Sequence, residues 1–320
     1  MTGQRTTLPP AARAIVRGDR RALARAITAV ENGAPEADLL LRSTYSRTGR
    51  VPIIGFAGPL GVGKSSLLSA LVTQLRAAGT TVGVIAIDPS SPFSGGSVLG
   101  DRIRFERRAD DTGVFFRSMA SRGASGGVAA ATRDVARLMD AAGFGVILVE
   151  TVGSGQVDVA IREIASTRVV VLVPHLGDEV QTLKAGLFEI ADIFCVNKSD
   201  LPGSETAERY LSELAGLGPG PDGWRARVVR TSATVPSGIP GLWSAIEEHE
   251  RFVAGSDVHR QAERRRLSDE IVGRVRDELT RELTLRLEAE AELRRLVDQV
   301  VARKLDPRSA ADRLVAEERR

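Results

Sequence analysis

The run Gly58-Pro-Leu-Gly-Val-Gly-Lys64-Ser65 follows the apolar stretch Val51 to Phe56 and precedes a helical pattern that begins at Ser66. A glycine-rich loop set between strand and helix constrains this chain more than any other feature. It requires a βα unit whose turn folds tightly enough for successive amides to face an anion, with the helix adding its positive N-terminal end. The spacing assigns the backbone of Gly58, Gly61, Val62 and Gly63, together with Ser66 at the helix start, to phosphate oxygens. Lys64 can reach the β and γ oxygens, and Ser65 can hold Mg²⁺. The chain therefore reads as a binder of a nucleoside triphosphate.

A second motif selects the base. The apolar run Ile193 to Val196 leads directly into Asn197-Lys198-Ser199-Asp200. A carboxylate at Asp200 can accept from the N1–H and N2 amine of guanine, a pair of donors that adenine lacks. A buried acid left facing adenine would cost several kcal/mol, the penalty of an unsatisfied polar group. Asn197 is expected to brace the loop and contact N7, with the Lys198 stem over the ring. Thr231-Ser232-Ala233 follows the next expected strand, Ala226 to Val229. It fits either a loop that meets guanine O6 through the backbone of Ser232 and Ala233, or an ordinary cap for a helix from Gly241 to Glu248.

Around these motifs strand and helix alternate. Ile53 to Ala57, Thr81 to Ile87, Gly145 to Val149, Val169 to Val173 and Ile193 to Val196 read as strands, with helices at Ser66 to Ala78 and Val128 to Ala142. Continuous Val/Ile runs separated by helices predict an α/β fold, a mainly parallel sheet covered on both faces. Right-handed crossovers then bring Gly58, Asp88, Glu150 and Asn197, each just beyond a strand, to one edge.

Residues 1–50 read as a helical extension, two short helices broken near Gly18-Asp19 and a third around Ala37 to Leu41. Residues 51–252 form the nucleotide domain. Residues 253–320 form a charged helical arm in which Leu267, Ile271, Val275, Leu279 and Leu283 recur at steps of four. Such steps drift around a straight helix, so no regular heptad seam follows. The arm is a cap or a dimer contact, and a homodimer is favoured because a highly charged hairpin buries little of itself.

Composition narrows the class. The net charge is +3 over 320 residues and aromatics make up 4%, with no dense basic run interleaved with aromatics, so nucleic acid is not an expected partner. Neither a signal peptide core nor a long uncharged apolar stretch occurs, which predicts a cytoplasmic protein with no membrane association. The one cysteine, Cys195, lies inside an apolar run and reads as a small buried hydrophobe.

Three acids suit metal and phosphate chemistry. Asp88 ends one strand, Glu150 another, and Asp101 lies in Gly100-Asp101-Arg102. Mg²⁺ needs only one or two protein oxygens, so Ser65 with a carboxylate suffices, and Glu150 is the best candidate. Gly153 can offer an amide to the γ-phosphate, making the loop after Glu150 one switch and Ser90 to Gly100 another. Ser154 stands where a water-orienting Gln would be useful, and Gln156 lies two residues on. Slow hydrolysis is expected. Arg102, Arg117 and Arg122 are either cis arginines or solvated surface residues.

Taken together, these motifs resemble the MeaB/ArgK family of GTPases in the G3E group. The resemblance runs through Gly58 to Ser65, Asp88-Pro-Ser-Ser-Pro-Phe-Ser-Gly-Gly-Ser97, Leu99-Gly-Asp-Arg102, Glu150-Thr-Val-Gly153, Gly177-Asp-Glu-Val-Gln181, Asn197 to Asp200, Thr231 to Ala233 and Leu305-Asp-Pro307. It implies a GTP-hydrolysing chaperone that gates cofactor loading and protection of an adenosylcobalamin-dependent acyl-CoA mutase such as methylmalonyl-CoA mutase. It carries Ser65, Asp88, Asp101 and Glu150 over as the Mg²⁺ neighbourhood. It makes Pro174 to Asp192 a third switch, with Lys184 a candidate contact, and brings a C-terminal dimerisation arm.

Two departures matter. Leu60 replaces the usual Pro, a change that leaves the amides in place. Gly155-Gln156-Val157-Asp158 replaces a typical Gly-Gln-Ser-Glu, which bears on hydrolysis and partner coupling and not on binding. The competing readings are an ATP-dependent kinase or transport-linked ATPase, separated by the base that Asp200 accepts, and a G3E metallochaperone. Against the last stand one Cys and three His, at 175, 249 and 259, without clustered metal-ligand spacing.

Overall fold

The computed structural model describes residues 8–88, 111–120, 125–151, 161–174, 189–216, 218–220, 222–235, 237–289 and 291–318. Two compact units divide the chain, Met1–His259 and Arg260–Arg320.

Seven strands among the described residues form one sheet: β1 (Ile53–Ala57), β2 (Val82–Asp88), β3 (Val114–Ala120), β4 (Val146–Thr151), β5 (Thr167–Leu172), β6 (Ile193–Val196) and β7 (Arg227–Arg230). Their order is β3-β2-β4-β1-β5-β6-β7, and every pairing is parallel. Parallel neighbours cannot be joined by tight hairpins, and the described helices that lie between strands in the chain cover the sheet.

The strand period sorts side chains onto the two faces. Val82, Val84, Val146, Leu148, Val169 and Val171 join one core with α4 (Lys64–Ala77) and α7 (Ile239–Gly255). Their alternates Ile85, Ile87, Ile147 and Val149 face the other way, against α2 (Arg20–Glu31) and α5 (Ser125–Ala141). Val170, Leu172, Phe194 and Val196 pack with Leu211 of α6 (Ser204–Gly216). Burial on both faces is why these strands read as unbroken apolar runs. Cys195 belongs to this interior, where burial pushes its thiol up to about 12, so it acts as a packing atom.

The N-terminal helices are part of that second face. Proline opens α1 (Pro10–Val16) and α3 (Pro35–Thr44), where its missing N–H goes unneeded. Asp19 caps α2 by accepting from the Arg21 and Ala22 amides, both at 2.9 Å. Ile15, Leu23 and Ile27 are fully or almost fully buried in the core shared with Leu138 and Met139 of α5.

Three local readings change. β3 is an additional strand, pairing with β2 from Val82↔Val114 to Asp88↔Ala120. Its Arg117, considered as a cis arginine, is tied to Glu31 and Thr28 of α2, so the edge strand buries a charge against the N-terminal layer. β4 extends through Thr151 because Glu150 still pairs with Phe56 and Ala86, which places Glu150 inside the strand. The helix expected from Gly241 to Glu248 is α7, and it runs on to Gly255.

From Arg260 on, the C-terminal unit holds the rest of α8 (Asp257–Ala289), then α9 (Ala291–Val301) and α10 (Pro307–Glu318). Leu296 and Ala310 are buried within it, and Asp306 caps α10 through the Ser309 amide at 3.0 Å. Ile271, Val275 and Leu279 of α8 are each more than half exposed.

Candidate nucleotide site

The loop between β1 and α4 lies beyond the carboxyl end of a central strand, the place where open parallel sheets bind ligands. Gly58, Gly61 and Gly63 have φ of 142°, 82° and 90°. At Gly58 the requirement is steric as well, since a Cβ would lie 2.2 Å from the Val171 carbonyl oxygen of β5. Gly63 is the N-cap of α4 and supplies no side chain to occupy the positive end of the helix. The helix begins at Lys64, two residues earlier than the sequence pattern suggested.

Lys64 is only 5% exposed, and its ammonium donates to the Gly58 and Pro59 carbonyls at 2.6 and 2.9 Å. Through these two bonds the cation closes the loop on itself. Anionic phosphate oxygens make stronger charge-assisted bonds and can take the ammonium from those carbonyls.

Ser65 and Glu150, eighty-five residues apart, meet. The Ser65 hydroxyl donates to Glu150 Oε1 at 2.6 Å, and both residues are buried. Register puts Glu150 there, because β4 lies directly beside β1. Thr151 adds a brace that sequence reasoning missed, its hydroxyl donating to the Phe56 carbonyl at 3.3 Å. The two oxygen donors fit Mg²⁺ chemically. Adjacent positions of an octahedron with 2.0–2.1 Å bonds are about 2.9 Å apart, close to the observed spacing. Asp88 ends β2 on the same sheet edge.

Two side chains, Asn197 and Lys198, join the base loops to the phosphate loop. Asn197, 1% exposed, donates from Nδ2 to the Val62 carbonyl at 2.9 Å and accepts at Oδ1 from Thr231 at 3.2 Å. Lys198 has a left-handed backbone, φ 55°, and its ammonium donates to the Gly61 carbonyl at 2.8 Å. The Lys198 stem therefore spans from the base loop to the phosphate loop.

Asp200 accepts from the Ser232 hydroxyl, which also receives the Val235 amide at 3.1 Å. The acid was expected to be buried, yet it is exposed; a base stacked over Lys198 would cover it. The cap alternative for Thr231 to Ala233 is settled by geometry. The N-cap of α7 is Gly238, at φ 71° and with the Arg230 carbonyl oxygen 1.9 Å from where a Cβ would stand, so no side chain fits there. Ser232 and Ser237 exchange two backbone hydrogen bonds, leaving Ser232 and Ala233 as a separate turn beside Asp200.

The site thus brings together Gly58, Gly61, Val62, Gly63, Lys64, Ser65, Glu150, Asn197, Lys198, Asp200 and Ser232. Asp101, Gly153, Gln156, Lys184, Arg102 and Arg122 lie outside the described residues, as do Ser90 to Gly100 and most of Pro174 to Asp192.

Similarity to known proteins agrees with this geometry. The family described as methylmalonyl-CoA mutase-associated GTPase MeaB matches residues 23–288. A putative GTPase of Pyrococcus abyssi is 46% identical over 306 residues, 94% of each chain. GTPase ArgK of Escherichia coli is 34% identical over 258 residues, 78% of each chain. Among solved structures, that of an LAO/AO transport system kinase superposes with a TM-score of 0.72 at 25% identity and covers 100% of both chains. With a phosphate loop, an acid beside its serine and a guanine-type base loop on one sheet edge, the chain belongs to the MeaB/ArgK family of P-loop GTPases.

Proposed function

We propose that this chain binds Mg²⁺-GTP, hydrolyses it slowly, and uses the change at its phosphate edge to gate cofactor loading and protection of an adenosylcobalamin-dependent acyl-CoA mutase. The observation that carries the nucleotide reading is Asn197, which links the base loop to the Val62 carbonyl of the phosphate loop. Base and phosphate recognition are held in one frame, so the identity of the base fixes where the terminal phosphate sits.

Ser65 and Glu150 would hold Mg²⁺, and the family resemblance adds Asp88 and Asp101 to that role. When bound, the ion would offset charge on the β- and γ-phosphate oxygens. Lys64 exchanges its two carbonyl acceptors for those oxygens and stabilises the charge that shifts toward the leaving group. Gly153 senses the γ-phosphate through its amide, and Gln156 is the nearest candidate to orient water. Neither replaces an arginine finger, so turnover is slow alone. Asp200, held by Ser232, reads the N1–H and N2 amine of guanine, favouring GTP over the ATP of a kinase reading.

The mutase client rests on the family's description as mutase-associated. Lys184, in the third switch, is the proposed contact. The exposed Ile271, Val275 and Leu279 stripe on α8 is the proposed homodimer surface. The proposed site of action is the cytoplasm; among the described residues no helix is long and apolar enough to cross a membrane.

Affinity capture from native extract with the chain loaded with GDP or with a non-hydrolysable GTP analogue tests the client. Recovery of an adenosylcobalamin-dependent mutase in amounts that differ between the two states is expected. Recovery of no cobalamin enzyme in either state would reduce the protein to a GTPase with another client.

A further inference from the structure

The opposite edge of the sheet carries a second cluster that nucleotide chemistry does not use. Asp222 precedes β7, His249 lies in α7, and His259 lies in the first turn of α8. One ligand atom from each lies within 4.8 Å of the others. The sequence spacing had argued against any such grouping; it forms because the chain turns at Ser256 between two helices.

Each side chain is held from behind. Asp222 Oδ1 accepts the Trp224 amide at 2.9 Å, which leaves Oδ2 facing His259 Nε2 at 3.7 Å. His249 is 0% exposed, and its Nδ1 lies 2.7 Å from the Thr167 hydroxyl. That hydroxyl also donates to Glu250. Its single proton being so used, it must accept from His249 Nδ1–H, and the lone pair then falls on Nε2. A histidine whose second nitrogen is anchored to a hydroxyl–carboxylate pair is the arrangement that orients metal-binding imidazoles.

Two ring nitrogens in this cluster, His249 Nε2 and His259 Nδ1, are buried without a hydrogen bond. Asp192 Oδ1 lies 3.5 Å from His249 Nε2 but out of hydrogen-bonding geometry, and Asp192 is occupied by Arg168. A basic lone pair between two carboxylates calls for a cation. Trp224 and Phe252 wall the site, with ring centroids 4.8 and 6.3 Å from that of His249.

We propose that Asp222, His249 and His259 form a binding site for a divalent transition cation of the Zn²⁺ type, with water completing its coordination. Two imidazoles and a carboxylate suit Zn²⁺, Co²⁺ or Ni²⁺ and disfavour Mg²⁺. Tetrahedral bonds of 2.0–2.1 Å would bring the donors to about 3.4 Å apart. Asp222 and His259, both partly exposed, can close that gap by side-chain rotation. The bound ion would fasten the start of α8 to α7 and to the turn before β7.

The test uses the full chain, stripped with chelator and saturated with Mg²⁺-GDP to occupy the phosphate site, then titrated calorimetrically with Zn²⁺. One Zn²⁺ per chain is expected, with affinity reduced at least tenfold in His259→Gln and in Asp222→Asn, both checked for GDP binding to show that they fold. In parallel, Co²⁺ should give the intense visible absorption of a tetrahedral nitrogen-ligated centre in the wild type. Absence of Zn²⁺ binding, equal binding by His259→Gln, or only the weak spectrum of an octahedral oxygen site would overturn the proposal.

Discussion

The two edges of the sheet both bury charge, and they bury it in different ways. At the carboxyl edge, Lys64 rests on two neutral carbonyls, and Ser65 and Ser232 each lean on an acid. These partners can be exchanged for phosphate, cation and base. At the amino edge, Asp192 takes Arg168 Nε at 2.7 Å, its terminal nitrogen at 2.6 Å and the Arg168 amide at 2.7 Å, while the Trp224 indole donates to the Asp192 carbonyl. Burial opposes the charge on Arg168 and the Asp192 carboxylate outweighs it, so its pKa is raised. One edge holds charge in readiness for a ligand, and the other fixes the ends of β5, β6 and β7.

Breaking the fixed edge should cost most in stability. Arg168→Ala leaves Asp192 buried and uncompensated, so unfolding in urea should show a loss of about 3–5 kcal/mol, while folded molecules keep their GDP affinity. The converse holds for Lys64→Ala. Phosphate release from GTP should fall by roughly 10²–10³-fold, with circular dichroism and thermal midpoint near wild type. A large loss of stability in Lys64→Ala would erase the contrast between the edges.

Smaller changes sharpen it. Asp200→Ala removes a guanine acceptor and should weaken GDP binding by about 1–3 kcal/mol, narrowing the preference over ADP in a competition assay. Asp19→Ala, at neither edge, removes the cap of α2 and should lower stability by about 1 kcal/mol with nucleotide affinity unchanged. An effect of Asp19→Ala on nucleotide binding would mean that the N-terminal layer couples to the site.

Much of the carboxyl edge was legible in the sequence because its groups follow strands within fixed motifs. Gly58 to Ser65 and Asn197 to Asp200 declare their chemistry by spacing alone. Glu150 was readable as an acid after an apolar strand, although only the register with β1 shows that it touches Ser65. The proposed client rests on family resemblance, since nothing in the chemistry of Lys184 distinguishes it from a surface lysine.

What was hidden depends on tertiary pairing. β3 escaped notice because Arg117 and Ser118 interrupt its apolar pattern, and the polar break makes sense only once Glu31 is seen against it. Asp222, His249 and His259 come from three segments, and their meeting depends on the break between α7 and α8.

The central claim is that one frame reads guanine and holds its triphosphate. Equilibrium competition between GTP and ATP for the Mg²⁺-loaded wild-type chain tests it most directly. The account predicts that GTP displaces ATP by a factor of at least about 10², what an unpaired Asp200 facing adenine would cost at the upper end of about 1–3 kcal/mol. Equal affinity for the two nucleotides would contradict it.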